Sequence, residues 1–102
     1  MTLAQILREI GDHHWESSLY VQADVKLGAS VKAQVVKTDP YTLEALEPVP
    51  ANYRRLLSVQ DVRGVVDNAR QQLAVPTADQ LVEALQYYVL RDAFLQIPRA
   101  PG

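Results

Sequence analysis

The segment GDHHW, residues 11–15, holds the densest group of side chains in this chain that could do chemistry. One aspartate and two histidines could bind a metal ion or move protons. Adjacent histidines point to different sides of a helix or strand, however, whereas two histidines that share a metal on one helix face stand four residues apart. The sequence contains no third histidine and no cysteine. We therefore expect His13 and His14 to bind no functional metal, and we expect no cofactor.

A small hydrolase or metal-dependent enzyme is the alternative that these residues leave open. It would use Asp12, His13 and His14, with Asp92 as a further carboxylate, and the four groups would have to meet in one cleft. Asp92 stands near the end of a helical pattern, where a carboxylate commonly caps a following turn. The sequence carries neither a nucleophile-elbow motif nor a glycine-rich phosphate-binding motif. Convergence of the four groups would favour an enzyme, and their dispersal would count against one.

The elements that must position these residues begin with a short helix. Thr2 is a good N-cap, and the apolar residues at positions 3, 6, 7 and 10 share one helical face, which predicts a helix over residues 3–10. Gly11 is expected to end this helix in the left-handed conformation. The segment GDHHW is therefore predicted to be the point where the chain leaves this helix. Trp15 is expected to pack in the core between this helix and the sheet.

Two valine-rich segments predict a pair of strands. Residues 18–22 and 31–38 are expected to pair in antiparallel fashion, and the alternation of Val31, Ala33 and Val35 predicts one buried face. Two strands alone are marginally stable, so we expect helices or a further strand to cover them.

Two further helices are predicted by their N-terminal caps. Ser58 precedes apolar residues at positions 59, 62, 66, 69 and 73, and Thr77 with Gln80 forms a capping-box pattern before a second apolar stripe. The order of elements predicts an α+β fold, in which about three helices pack on one side of a short antiparallel sheet. We expect a single domain over residues 1–102, with a flexible tail at 96–102.

Charge and hydropathy argue against nucleic acids and membranes as partners. Ten basic and twelve acidic residues give a net charge of −2, too weak to attract a polyanion by overall field. Arg63 and Arg70 could share a helix face, but Asp61 and Asp67 dilute it, which favours a solvated mixed-charge surface. No stretch approaches the ~20 apolar residues of a membrane helix, and the N-terminus does not resemble a secretory signal. These features predict a cytoplasmic protein.

The segment from Asp39 to Tyr53 is the longest irregular stretch, with room for a short strand or turn at residues 41–46. It carries three acids, three prolines and no basic residue. Such loops are often functional, and their carboxylates are expected to stay in water or meet a cationic partner. Exposed tyrosines add large rigid surfaces to interfaces. The candidate partner-binding residues are Asp39, Tyr41, Glu44 and Glu47 in this loop, and Tyr87 in the third helix.

Part of the sequence resembles a family of small uncharacterised bacterial domains. The resemblance rests on Trp15, the pair Leu19-Tyr20, the valine-rich strand ending at Asp39, and the run ALQYYVLRDAF at residues 84–94. Some members of that class resemble the immunity proteins of polymorphic toxin systems. The resemblance implies a stand-alone bacterial protein that binds another protein, and it supplies no activity and no catalytic residue.

Together these observations predict a non-enzymatic protein-binding module. The resemblance implies an immunity-like inhibitor, and an acidic and aromatic surface would suit a toxin or another partner with a basic cleft. Two alternatives stay open beside it. One is the small enzyme using Asp12, His13 and His14, and the other is a homodimeric structural protein that buries an incomplete sheet edge.

Overall fold

The computed structural model describes residues 1–97 and has an α+β architecture, as the sequence predicts. A three-stranded antiparallel sheet packs with three helices. In chain order the elements are α1 (Leu3–Arg8), β1 (Ser17–Gln22), β2 (Ala33–Lys37), β3 (Tyr53–Ser58), α2 (Val59–Gln72) and α3 (Ala78–Arg91).

Helix α1 begins as predicted but ends differently. Thr2 and Gln5 form a reciprocal capping box at its start. At its end the N–H of Glu9 donates to carbonyls of the helix, and the chain continues as a 3-10 turn over Ile10–Asp12. The expected left-handed conformation of Gly11 is wrong, because no glycine in residues 1–97 has a positive φ. The tighter 3-10 turn redirects the chain instead.

Arg63 of α2 holds this turn in place. Its guanidinium donates to three backbone carbonyls, through Nε to Ile10 at 3.3 Å and through Nη2 to Gly11 at 2.9 Å and His13 at 2.6 Å. The carbonyls at a helix end lack intrahelical partners, so a fork of N–H donors suits them well. Arg63 therefore joins α2 to the chain after α1 by hydrogen bonds. Its guanidinium is not part of an unbonded basic strip on the helix surface.

Strand β1 is the centre of the sheet, whose order is β2-β1-β3. Leu19 pairs with Val35 on one side and with Leu57 on the other, and both pairings are antiparallel. The predicted pairing of the two valine-rich segments is confirmed, although β2 is shorter than the predicted 31–38. The third strand falls in a region where the sequence predicted only loop and helix.

A β-bulge explains why the sequence of β3 lacks the alternation of apolar and polar residues that normally marks a strand. Leu19 and Tyr20 are neighbours on β1, yet they pair with Leu57 and Arg55, so Leu56 is an extra residue. Leu56 belongs to the core and Leu57 packs against it. Two consecutive leucines thus face the core, and the alternation that normally marks a strand is lost.

The outer edge of β2 is covered by other parts of the chain at both ends. At one end the N–H of Ala33 donates to the carbonyl of Met1 at 2.9 Å. At the other end the N–H of Lys37 donates to the Glu47 carboxylate, and the Lys37 carbonyl accepts from Leu46. These contacts satisfy backbone groups that would otherwise invite another strand.

All three helices contribute to one core on one face of the sheet. Ser58 and Thr77 cap α2 and α3 as predicted, and Thr77 forms its capping box with Gln80. The fully buried side chains of the core come from the helices and from the central strand, and include Leu3, Ile6, Leu7, Leu19, Val21, Val59, Val62, Val66 and Leu85. The opposite face of the sheet carries no helix.

The chain after α3 docks on α2 as far as Ile97. Gln72 donates through Nε2 to the Leu95 carbonyl at 2.8 Å and accepts from the Ile97 N–H at 2.7 Å. Ile97 itself is buried. The flexible tail at residues 96–102 stays a prediction, since only the bonds of Leu95 and Ile97 are shown and residues 98–102 lie outside the described residues.

We predict that Arg63→Ala lowers the free energy of unfolding by about 2 kcal/mol, because carbonyls lose hydrogen bonds to a charged donor. The control is Arg70→Ala, which removes an exposed arginine from the same helix and should cost less than about 1 kcal/mol. Arg63→Lys should fall between them, since an ammonium cannot reproduce the fork. Urea denaturation followed by circular dichroism measures all three. Equal losses for Arg63→Ala and Arg70→Ala would contradict the role of the fork.

Candidate protein-interaction surface

Residues 37–47 form a hairpin, which is the core of the candidate surface. Its two arms are joined by bonds from Leu46 to Lys37 and from Asp39 to Glu44, with N···O distances of 2.8 and 2.9 Å. The Asp39 carboxylate accepts from the N–H groups of Tyr41 at 2.8 Å and of the next residue at 3.0 Å. The side chain thus closes the turn, as aspartates commonly do.

Asp39 accepts the hydrogen bonds of the turn as an ionised carboxylate rather than as a protonated carboxylic acid. Hydrogen bonds from the backbone N–H groups of Thr42 and Tyr41 hold the pKa of Asp39 below its ordinary value of 3.8. The ionised form therefore stabilises the hairpin above that ordinary pKa. The contribution disappears as the pH falls through the lowered pKa of the folded state.

Trp15 is not in the core, and the prediction that it packs there is wrong. Its side chain is 53% exposed, and its ring stacks on His14 with 5.9 Å between centroids. Ile10 at the preceding turn is buried in the core instead. The N–H of Glu16 donates to His14 Nδ1, and that of Ser17 donates to the His14 carbonyl. This local turn brings the chain directly into β1 and leaves the indole outside.

A pocket of about 160 Å³ lies between Trp15 and the hairpin. Trp15, Pro40 and Leu43 supply its apolar walls, and Glu16 is the one charged lining residue within residues 1–97. The remaining lining residues are polar and come from the sheet, the end of β2 and the start of α2, namely Ser17, Ser18, Thr38, Ser58 and Gln60. The pocket therefore combines an aromatic ring, aliphatic surface, a carboxylate and hydroxyl groups.

A chain of hydrogen bonds fixes the polar side of this pocket. Arg55 donates through Nε to Ser18 Oγ at 3.0 Å, and the hydroxyls of Ser18 and Thr38 bond at 3.2 Å. Thr38 donates in turn to the backbone carbonyl of Glu16 at 3.4 Å. Since Arg55 and Thr38 act as donors at the two ends, Ser18 accepts from Arg55 and donates to Thr38. The chain links β3, β1, the end of β2 and the residue beside Trp15.

The structure groups four of the five predicted binding residues on the hairpin. Tyr41 is 93% exposed at its tip, and Glu44 is exposed beside it. Two of the three acids, Asp39 and Glu47, also accept hydrogen bonds from backbone N–H groups. Glu47 in particular holds the N–H of Lys37 at 2.9 Å. These two carboxylates have a structural role as well as a charge.

Tyr87, the fifth predicted residue, lies on α3 and does not line the pocket. It belongs to the end of α3, where Leu90 is also exposed. There Tyr88 stacks on Phe94 with 5.6 Å between ring centroids. The nearby carboxylate of Asp61 raises the pKa of the Tyr88 phenol above its ordinary value of 10.0, with burial adding to the effect. Tyr87 therefore marks a second exposed patch.

The residues that an enzyme would use do not form a metal-binding group in the described part of the chain. Within residues 1–97, no three His, Asp or Glu side chains could together hold a metal ion. His14 bonds the backbone of its own turn and stacks on Trp15, whereas Asp92 closes α3 in a left-handed conformation. His13 Nε2 is buried and has no hydrogen-bond partner in this part of the chain. The hydrolase alternative gains no support from this arrangement.

The sequence interpretation overlooked the apolar members of the surface. Trp15, Leu43 and Leu46 are exposed, and Pro40 lines the pocket beside the first two. Their signal was available, because large apolar residues stood in a segment predicted to be loop. What the sequence could not show is that Trp15 and Pro40, which are 25 positions apart, line the same pocket.

Comparison with known families identifies the domain type. The model of a domain of unknown function, DUF7716, matches residues 1–97. The chain belongs to the DUF7716 family. No curated protein and no solved structure matches it. The DUF7716 match spans every helix and strand described above, and it confirms the expectation of a small uncharacterised domain family. Among residues 1–97 of this DUF7716 domain, no helix has the length and apolarity needed to cross a membrane.

We predict that Asp39→Ala opens the tip of the hairpin, because the amides of Tyr41 and Thr42 lose their acceptor. Their hydrogen exchange, measured by NMR, should speed up while amides of β1 stay protected. In the native chain the same two amides should lose protection as the pH falls below the ordinary aspartate value of 3.8. Glu44→Gln is the matched control and should leave both amides unchanged. Unaltered exchange in Asp39→Ala would contradict the assigned role of the carboxylate.

We predict that Trp15→Ala reduces the free energy of unfolding by only about 1 kcal/mol, because half of the ring already contacts water. Leu19→Ala, at a fully buried site of β1, should cost about 2–5 kcal/mol. Urea denaturation followed by circular dichroism compares the two variants. A loss of about 3 kcal/mol or more for Trp15→Ala would place the indole in the core.

Proposed function

We propose that this protein is a non-enzymatic binding module that recognises a partner protein through its hairpin surface, defined as Trp15, Glu16 and residues 39–47. The single observation that carries the proposal is the exposure of large apolar side chains on and beside a hairpin that is held by hydrogen bonds. Trp15, Tyr41 and Leu46 are 53%, 93% and 57% exposed. Clustered exposed apolar groups mark interaction sites, and tryptophan and tyrosine are frequent anchors of interfaces.

The rigidity of the hairpin supports this function. Asp39 closes the turn and Glu47 fastens the returning arm to β2. A surface that is already ordered loses less conformational entropy on binding than a flexible loop does. The exposed carboxylate of Glu44 and the pocket carboxylate of Glu16 add negative charge, which speeds association with a basic partner.

The family resemblance refines the proposal to an immunity-like role in a bacterial cell. An inhibitor of this kind would present its acidic and aromatic surface to a toxin with a basic cleft. Self-association through this surface is the competing assembly, and the test below identifies it by the mass of the product.

The test uses a photo-crosslinking phenylalanine analogue at Tyr41 and, as a control, at Val75. Both positions are highly exposed, and Val75 lies in the linker between α2 and α3. In cells of the native host, the Tyr41 position should capture one protein of defined mass, and the Val75 position should not. A product with twice the mass of this chain would indicate the homodimer instead of a partner protein.

A matched pair of leucine variants locates the interface. Leu46→Ser should abolish capture at Tyr41 without lowering the melting temperature, because the side chain is largely exposed. Leu90→Ser alters a more exposed leucine on α3, in the patch that contains Tyr87, and should leave capture intact. Loss of capture in Leu90→Ser but not in Leu46→Ser would move the interface to α3 and contradict the proposal.

A further inference from the structure

We infer that the pocket between Trp15 and the hairpin receives one lysine or arginine side chain of the partner. This inference rests on the proposed function and specifies the chemistry of the contact. The occupant is a basic residue of another protein, inserted between Trp15 and Pro40 with its charge beside Glu16.

The size of the pocket fits a single long side chain. Its volume of 160 Å³ corresponds to roughly five water molecules at liquid density. A helix or strand of a partner cannot enter such a space, whereas one extended side chain can. Pro40 and Leu43 offer aliphatic walls to the methylene groups of a lysine or arginine.

Trp15 provides the second element of recognition. His14 stacks on one face of the indole, with an interplanar angle of 22°. The ring also lines the pocket, so part of its surface is available to a guest. Tryptophan is the aromatic side chain that attracts cations most strongly through its π-electrons.

Charge decides between a cation and an anion. Among the described residues Glu16 is the only charged one that lines the pocket, and the adjoining segment 38–52 contains three acids and no basic residue. A hydrogen bond joins one basic residue, Arg55, to the lining residue Ser18. Its Nε–H is engaged by Ser18, and Arg55 itself does not line the pocket. The lining charge therefore favours a basic side chain.

The polar groups of the lining agree with this choice. Ser18 and Thr38 already satisfy each other and the Glu16 carbonyl, so they need no anion to complete their hydrogen bonds. Glu16 also has its backbone fixed by Thr38. Glu16 thus lines the pocket from an anchored backbone position, which limits the ordering required when a guest binds.

The experiment titrates the protein with blocked tripeptides that carry lysine, arginine, norleucine or glutamate at the centre. Trp15 is the only tryptophan, so its fluorescence reports directly on the pocket. NMR shifts of the Trp15 indole N–H and the Gln60 amide provide a second measurement. Lysine and arginine peptides should give saturable changes with dissociation constants of about 1–10 mM, and the norleucine peptide should bind about tenfold more weakly.

Two glutamine variants test the role of charge. Glu16→Gln should weaken binding of the lysine peptide about tenfold while the melting temperature stays within a few degrees of the native value. Glu83→Gln removes an exposed carboxylate of α3 that does not line the pocket, and it should change affinity less than about twofold. Higher salt should weaken the lysine peptide and leave the norleucine peptide unaffected.

Several outcomes would overturn the inference. Equal binding of norleucine and lysine would make the pocket an apolar site, and preferential binding of glutamate would show that Arg55 dominates it. The absence of any saturable change by both measurements, in folded protein, would also reject it.

The failures of the inference and of the proposed function are distinguishable. If the peptides fail while Leu46→Ser still abolishes capture of the partner, the surface binds protein without using the pocket for a cation. If the peptides bind as expected while capture does not depend on the hairpin, the proposed function is rejected. The pocket would then bind a basic side chain without serving the proposed partner.

Discussion

Strand β1 is buried on both faces, although helices cover only one of them. On the helix side Leu19 and Val21 enter the apolar core, which is the usual solution. On the other side Ser18 is completely buried, and an unpaired hydroxyl there would be costly. The hydrogen-bond chain from Arg55 through Ser18 and Thr38 to the Glu16 carbonyl removes that penalty. It also ties all three strands together, so the position of the hairpin depends on it.

The same constraint creates the candidate surface. Because Thr38 is bound to the Glu16 carbonyl, the start of the hairpin must lie beside the turn that carries Trp15. On the opposite side of this turn, Arg63 holds three carbonyls and prevents the turn from moving toward the core. The indole is left with His14 on one face and the pocket beside it. Its exposure is thus a consequence of backbone contacts on both sides of the turn.

The acidic residues of the hairpin combine structural and electrostatic effects. Asp39 and Glu47 bond to backbone N–H groups through carboxylate oxygens, and they stiffen the tip and the returning arm. The returning arm also covers one end of the β2 edge, and Met1 covers the other. This leaves little of that edge for an added strand, so the proposed binding at the hairpin surface relies on side chains. Rigid aromatic and aliphatic groups with nearby negative charge are well suited to a basic protein surface.

The sequence by itself determined the features that arise within one turn of helix or one strand. The caps at Thr2, Ser58 and Thr77 and the valine-rich patterns of β1 and β2 are local, and they predicted the α+β class and five of the six elements. Composition alone marked the acidic loop, and the structure folds its candidate residues into one hairpin. Tertiary structure decided the rest. The bulge at Leu56 is defined by pairing with a strand more than thirty residues away, and it hides β3 from any periodic pattern. The exposure of Trp15 depends on Arg63 and Thr38, whose contacts with the turn are equally remote in sequence. Such contacts form only when the chain folds. The residues around each partner do not indicate which distant residue it will contact.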